Sequence, residues 1–260
     1  MGLMPCVFCK SDEPLTNEHV WPQWVRPLLE SSLGGGTATR TTIRESGTES
    51  HTYPTEPASL TVKSVCAACN NGWMAHLEAR AKPALMPLLL GKKRTLMPPA
   101  RLTIATWSVK TALVSGSRFK PAIPASFYED FYEHQTPAKK ARVWLSSNPY
   151  TIGFHYIDLR PLKVHPRGED PPEEHNGYQA VLAVGNLVMY VIGWSERKPN
   201  LPQVYEGFND ALAPIWLADH QVAWPPKRSL KQADLDDLAD ALGAIPPTPS
   251  TPSDAASPQP

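Results

Sequence analysis

The chain lacks several signatures that would decide its function at once. It has no Gly-rich phosphate loop, no G-x-S-x-G nucleophile elbow and no internal repeat, so P-loop and serine-hydrolase chemistries have no support. One long uncharged stretch, 178–194, is interrupted by Gly185-Asn186 and is dense in Val and aromatic residues. That pattern predicts a buried β-hairpin and argues against a membrane span. No apolar segment precedes Cys6, so no secretory signal is expected. Gly2 also lacks the Ser or Thr four residues on that a myristoylation site needs. The expected location is cytoplasmic, with no membrane partner. Cysteine is scarce, four in 260 residues, and in a reducing compartment paired thiols bind metal more often than they form disulfides. Acid is nearly missing from one region. Residues 60–120 carry ten basic side chains and the single acid Glu78, although the whole chain balances 25 basic against 25 acidic residues.

What the chain does contain suits a folded protein: 42% hydrophobic and 19% charged residues, with enough length to bury a sizeable core. Its 29 prolines are partly explained by the Pro/Ser/Thr/Ala-rich segment 246–260, which has little to bury and is expected to be disordered. Three segments are expected: a module over 1–90, an α+β domain over 100–245 and the tail. Helical spacing of Val20, Trp24, Val25 and Leu28 predicts a short helix, and Gly34-Gly35-Gly36 breaks the chain after it. Strands are predicted at 37–44 and 59–65, joined as a hairpin across a polar loop at 45–58. Asn70 or Asn71 is the predicted N-cap of a helix carrying Trp73, Met74, Leu77 and Ala81, with Pro83 as its end or kink. Beyond it, helices are predicted at 102–114, 127–134 and 234–242. Strands are predicted at 141–145 and 151–158, followed by the 178–194 hairpin. The fold class is α+β.

The chemistry-bearing pattern lies near the start. Cys6 and Cys9 form one C-x-x-C pair, Cys66 and Cys69 another. Two such knuckles can share one tetrahedral Zn2+, and four thiolates close its coordination sphere, so this metal would be structural. Between the pairs runs Glu18-His19-Val20-Trp21-Pro22, and Asn70 follows the second pair directly. Sharing one zinc would draw Glu18, His19 and Asn70 toward one another. An acid, an imidazole and an amide at one place can hold a second, catalytic cation and activate water beside it.

These residues resemble the HNH endonucleases of the His-Me finger superfamily. The string Cys66-Ala67-Ala68-Cys69-Asn70-Asn71-Gly72-Trp73-Met74 resembles a bacterial and phage subgroup of that family. The resemblance covers the first third of the chain. It implies a zinc-stapled ββα module that hydrolyses phosphodiester bonds in DNA with one Mg2+ or Mn2+. It also implies that His19 is the general base, that Glu18 and Asn70 are ligands of the catalytic metal, and that Pro22 is the proline that follows the base. Two positions differ from the family: 60–65 carries no Asn, and Met74 stands where many members have a further His.

The basic region supplies the expected DNA contacts, Lys82, Lys92, Lys93 and Arg94, because a phosphate backbone is bound chiefly by Lys and Arg. A competing expectation is a zinc-binding module that binds nucleic acid without cutting it. A third is an interaction scaffold worked by the C-terminal domain.

Overall fold

The computed structural model describes residues 4–30, 37–44, 47–54, 60–117, 123–150, 154–166, 169–170, 172–196 and 207–240, with backbone alone at 30, 37–44 and 47–54. The 246–260 tail lies outside them. The first strand, β1 (Leu15–His19), leads through a 3-10 turn at Gln23–Val25 into the short helix α1 (Arg26–Glu30). Strands β2 (Thr37–Arg44) and β3 (Gly47–Pro54) pair antiparallel with each other. Strand β4 (Thr61–Cys66) runs antiparallel to β1, with Leu15 opposite Cys66 and His19 opposite Thr61. This corrects the expected hairpin: the polar stretch assigned to a loop holds a strand, and the 59–65 segment pairs with β1 instead. Polar Thr/Ser/His/Tyr residues in 47–54 suit a strand that satisfies its backbone across a partner, a preference that polarity alone hides.

After β4 the chain turns into α2 (Ala67–Cys69), a π-helical turn at Asn70–Met74 and α3 (Ala75–Leu89). The helical run thus starts three residues before Asn70. Cys66, extended at φ −75° and ψ 163°, is the N-cap, and Asn70 lies inside with helical angles, which corrects its expected capping role. Pro83 neither ends nor splits α3; the helix passes through Pro83 and Pro87 with Leu77, Ala81, Leu85 and Leu88 buried. It stops at Gly91, φ +69°, where the Gly91 N–H donates to the Leu88 carbonyl and the Lys92 N–H to that of Pro87. Those two bonds and the left-handed glycine make a Schellman cap. It throws Lys92, Lys93 and the next strand, β5 (Arg94–Leu96), outward.

Helix α4 (Pro98–Gly116) is buried almost all round from Ile104 to Gly116. A helix apolar on every side must run through a core rather than along a surface. Two of its buried serines bond back along the helix, Ser108 Oγ donating to the Ile104 carbonyl at 2.9 Å and Ser115 Oγ to that of Thr111 at 2.8 Å, whereas the Thr111 hydroxyl is buried without a partner among the described residues. Helix α5 (Ala125–His134) lays Tyr128 and Phe131 inward.

The rest is a five-stranded antiparallel sheet with an outer strand pair. Strands β6 (Ala141–Ser147), β7 (His155–Leu162), β8 (Gly177–Val184), β9 (Leu187–Trp194) and β10 (Ala213–Trp216) lie in the order β10-β6-β9-β8-β7. Strand β11 (Val222–Trp224) pairs with β5, and α6 (Gln232–Asp240) closes the described chain. Every residue of β8 and β9 is buried. Alternation divides them. Leu182, Val184, Met189 and Val191 join the core around α4, and Val181, Ala183, Val188 and Ile192 pack with Leu235 and Leu238 of α6. The α4-side core runs without a break to Cys6, Phe8 and Trp21. The fold is α+β, with α4 as the element common to the sheet and to the cysteine-bearing corner.

Candidate metal centre and nucleic-acid interface

The two knuckles converge. The first is a tight loop in which Lys10 N–H donates to the Cys6 carbonyl at 3.0 Å and Lys10 itself takes φ +60°. Val7 N–H bonds the Ser64 carbonyl at 3.0 Å and so ties this loop to β4. The second begins where β4 ends, with Cys66 at the strand's last position and Cys69 in α2. All four Sγ atoms lie within 4.8 Å of one another, and Cys9 and Cys66 approach to 3.5 Å. A tetrahedron with Zn–S arms of ~2.3 Å has edges near ~3.8 Å, so the quartet fits a metal ion such as zinc. Among the described residues it is the one cluster of three or more Cys, His, Asp or Glu side chains close enough to share an ion.

The cluster's own electrostatics favour a cation. Burial opposes ionisation of Cys6, but N–H groups of Cys66, Cys9 and Phe8 outweigh it and bring its pKa down to about 7. Cys69 is pushed well up, by burial first and then by the neighbouring sulfurs Cys9, Cys6 and Cys66. Burial likewise raises Cys9. Four crowded thiols cannot all ionise unaided, and a dication removes that conflict. Aromatic side chains cover the corner: Phe8 meets Trp73 and Tyr128 edge-on, each with centroids 5.4 Å apart, and Trp73 also contacts Phe131 of α5. Trp21 faces Trp107 of α4 at 6.4 Å, so it belongs to the inner core.

Glu18 and His19 close β1 and Asn70 opens the π-helical turn, and the three side chains make no hydrogen bond to one another among the described residues. Glu18 is 5% exposed, and its Oε1 accepts a hydrogen bond from Lys110 Nζ at 3.2 Å. The same ammonium, wholly buried, donates to Glu78 Oε1 at 2.7 Å. Burial works against the charge on Lys110, but Glu78 and Glu18 together outweigh it and hold its pKa above the ordinary lysine range. Glu18 is shifted up by burial, with Lys110 opposing and Glu78 adding to the rise. Two carboxylates and one ammonium leave the cluster one negative charge in excess. The second Glu18 oxygen has no hydrogen-bond partner among the described residues.

Asn70 donates from Nδ2 to Thr16 Oγ1 at 3.0 Å, and Thr16 Oγ1 donates to the Val65 carbonyl at 3.0 Å. This leaves Asn70 Oδ1 without a partner among the described residues. His19 ends β1, half-buried, with its ring likewise unpartnered there. Between Asn70 and Ala75 the helix is interrupted at Gly72, whose φ −91° and ψ −112° are not helical. Such π-turn interruptions recur where a helix presents groups for function.

Lys82, Lys92, Lys93 and Arg94 are all exposed and make no ion pair among the described residues. Two members of the same basic stretch are not on the surface. Lys110 is internal, as above, and Arg101 is 3% exposed, with Nη1 bonded to the Ala218 carbonyl at 2.7 Å. The sequence reading missed Lys110, Glu78 and Thr16. The first left a signal, a lone lysine inside the apolar run 102–116. No helix among the described residues is long and apolar enough to cross a membrane. No protein-family model, curated protein or solved structure matches the chain.

Proposed function

We propose that this protein is a metal-dependent HNH-type endonuclease that hydrolyses phosphodiester bonds in DNA. The observation that carries the reading is the convergence of the two knuckles. It sets β1, ending in Glu18-His19, antiparallel to β4, and leads β4 directly into the helical run that begins at Ala67 and contains Asn70. We read this succession of two antiparallel strands and a helical run, with β2 and β3 inserted between the strands, as the ββα order that the family resemblance implies. Zinc at the four cysteines is structural, because four thiolates leave no open position for water or substrate.

The donor set suits a hard divalent ion, Mg2+ or Mn2+, because Glu18 and Asn70 each keep one oxygen without a partner among the described residues. When bound, that ion supplies charge neutralisation of the phosphate and of the departing oxygen. The chain's own part is proton transfer. His19 would accept the proton of a water molecule as its oxygen bonds to phosphorus, while the P–O bond on the far side breaks and the departing oxygen takes a proton from solvent water to leave an alcohol. Lys110 acts through Glu18, holding one carboxylate oxygen so that the other has a fixed direction.

Purified protein supplied with Mg2+ or Mn2+ is expected to nick or cut DNA, and His19→Ala to abolish cleavage while zinc content and DNA binding persist. Absence of cleavage across several metals and substrates would overturn the reading. The alternative is a zinc-stapled module that binds nucleic acid without cutting it. One observation favours it: Glu18 already has a cation, the buried ammonium of Lys110. It predicts salt-sensitive binding, no metal-dependent turnover and no effect of His19→Ala.

A further inference from the structure

We infer that the groove between β5 and the segment after β11 binds the phosphate backbone of a nucleic acid, through Lys93, Arg94 and Lys227. The inference rests on the proposed nucleic-acid reading but does not require cleavage. The groove measures about 650 Å³, and no acidic residue lines it. Pairing of Arg94 with Trp224 across β5 and β11 carries Lys227, remote in sequence, to the same rim as Lys93 and Arg94. Its wall is fixed: Trp224 is 2% exposed and is followed by Pro225 and Pro226.

The charge in this groove is uncompensated, and its neighbour shows what compensation looks like here. Arg228 bonds Asp210 and Asp234, each at 3.0 Å, so its charge is spent inside the protein. Lys93, Arg94 and Lys227 have no such acid among the described residues. Three cations lining an open concavity raise the local concentration of anions, and a chain of phosphates satisfies several of them at once. A polymer can lay successive phosphates along such a groove and so engage several of its cations together. Helix α3, 15 residues long and so ~22 Å, separates it from the Asn70 corner.

The test compares binding of a labelled DNA duplex, long enough to span α3, by the full chain and by Lys93→Gln/Arg94→Gln/Lys227→Gln. Binding is measured over a salt series with no added divalent ion. Loss of three phosphate contacts lowers the slope of log K against log salt by about 2.7 in magnitude. Zinc content and melting temperature stay unchanged. The charge-matched control Lys139→Gln/Lys163→Gln/Lys231→Gln leaves the slope near that of the parent protein. An unchanged slope in the groove variant, with the parent protein binding DNA, overturns the groove and leaves the nuclease reading standing. A reduced slope in a protein that never cleaves sustains the groove and removes the nuclease. Failure of the parent protein to bind DNA removes the groove outright.

Discussion

Two regions packed on the same helix, α4, are held together by opposite means. On one side lies the β8–β9 hairpin, in which all sixteen residues are buried and apolar alternation feeds a core on each face. On the other lies the β1–β4 corner, where four thiols, two carboxylates and an ammonium sit close to the interior. The sheet gains stability residue by residue, each buried aliphatic side chain contributing about 1.5–3 kcal/mol. The corner depends on a few groups whose charges must be matched. A region of the first kind loses stability gradually under substitution, and one of the second kind fails when a single partner is removed.

Removing the metal gives the sharpest test of that contrast. Structural zinc binding contributes on the order of 10 kcal/mol. Chelation, or Cys69→Ser, is therefore expected to abolish hydrogen-exchange protection in β1 and β4 while β8 and β9 retain most of theirs. Equal loss in both regions would show that the corner and the sheet unfold as one unit and would end the comparison.

Lys110 comes next. Lys110→Ala leaves Glu18 and Glu78 facing each other without their cation, a change expected to cost about 3–5 kcal/mol in urea denaturation. The triple variant Glu18→Gln/Glu78→Gln/Lys110→Met, which removes all three charges, should recover most of that loss. A Lys110→Ala cost below about 1 kcal/mol would mean that water already serves this cluster. The sign with pH follows from the raised pKa of Lys110: its contribution is full below the ordinary lysine pKa and is lost only as pH climbs through the higher folded value. The stability gap between the parent protein and Lys110→Met should therefore hold across neutral pH and close only in strong alkali.

In the sheet one single-site sensitivity is steric. A Cβ on Gly193 would lie 2.4 Å from Tyr178 Cε1, directly across the strand pair, and that ring is 2% exposed. Gly193→Ala is expected to cost about 1–3 kcal/mol, read from the urea midpoint. A neutral outcome would show that the Tyr178 ring can move aside, a looser sheet than its burial implies. The smallest stability effect belongs to His19→Ala, within about 0.5 kcal/mol, because the ring is half-buried and unpartnered among the described residues. On the proposed nuclease reading its whole effect should fall on cleavage.

Legibility in the sequence divides along the same boundary. Strands β6, β8 and β9, the Gly185-Asn186 turn and helices α4, α5 and α6 follow from apolar pattern and turn chemistry, because burial on both faces of a sheet writes itself into successive residues. Gly185 at φ +55° is the turn residue that pattern demanded. Strands β5, β10 and β11 were not legible: each is three or four residues long, too short for a period to show. Pairing was legible least of all. Residues 59–65 read as the partner of 37–44, whereas β4 pairs with β1, a strand the residue pattern did not announce. At the site, the cysteine spacing announced its cluster. The ion pairing of Glu18 with Lys110 stayed hidden, since it joins positions on β1 and α4 that only packing brings together.

By itself, the order of residues determined which four cysteines converge, the apolar hairpin and the α+β class, because thiol spacing and hydrophobic period are local properties. Tertiary structure alone decided which strands pair, that Lys110 lies inside between two glutamates, and that Lys227 joins Lys93 and Arg94 at one groove. Charges act through space, and their partners are set by where the core forces the chain to cross itself.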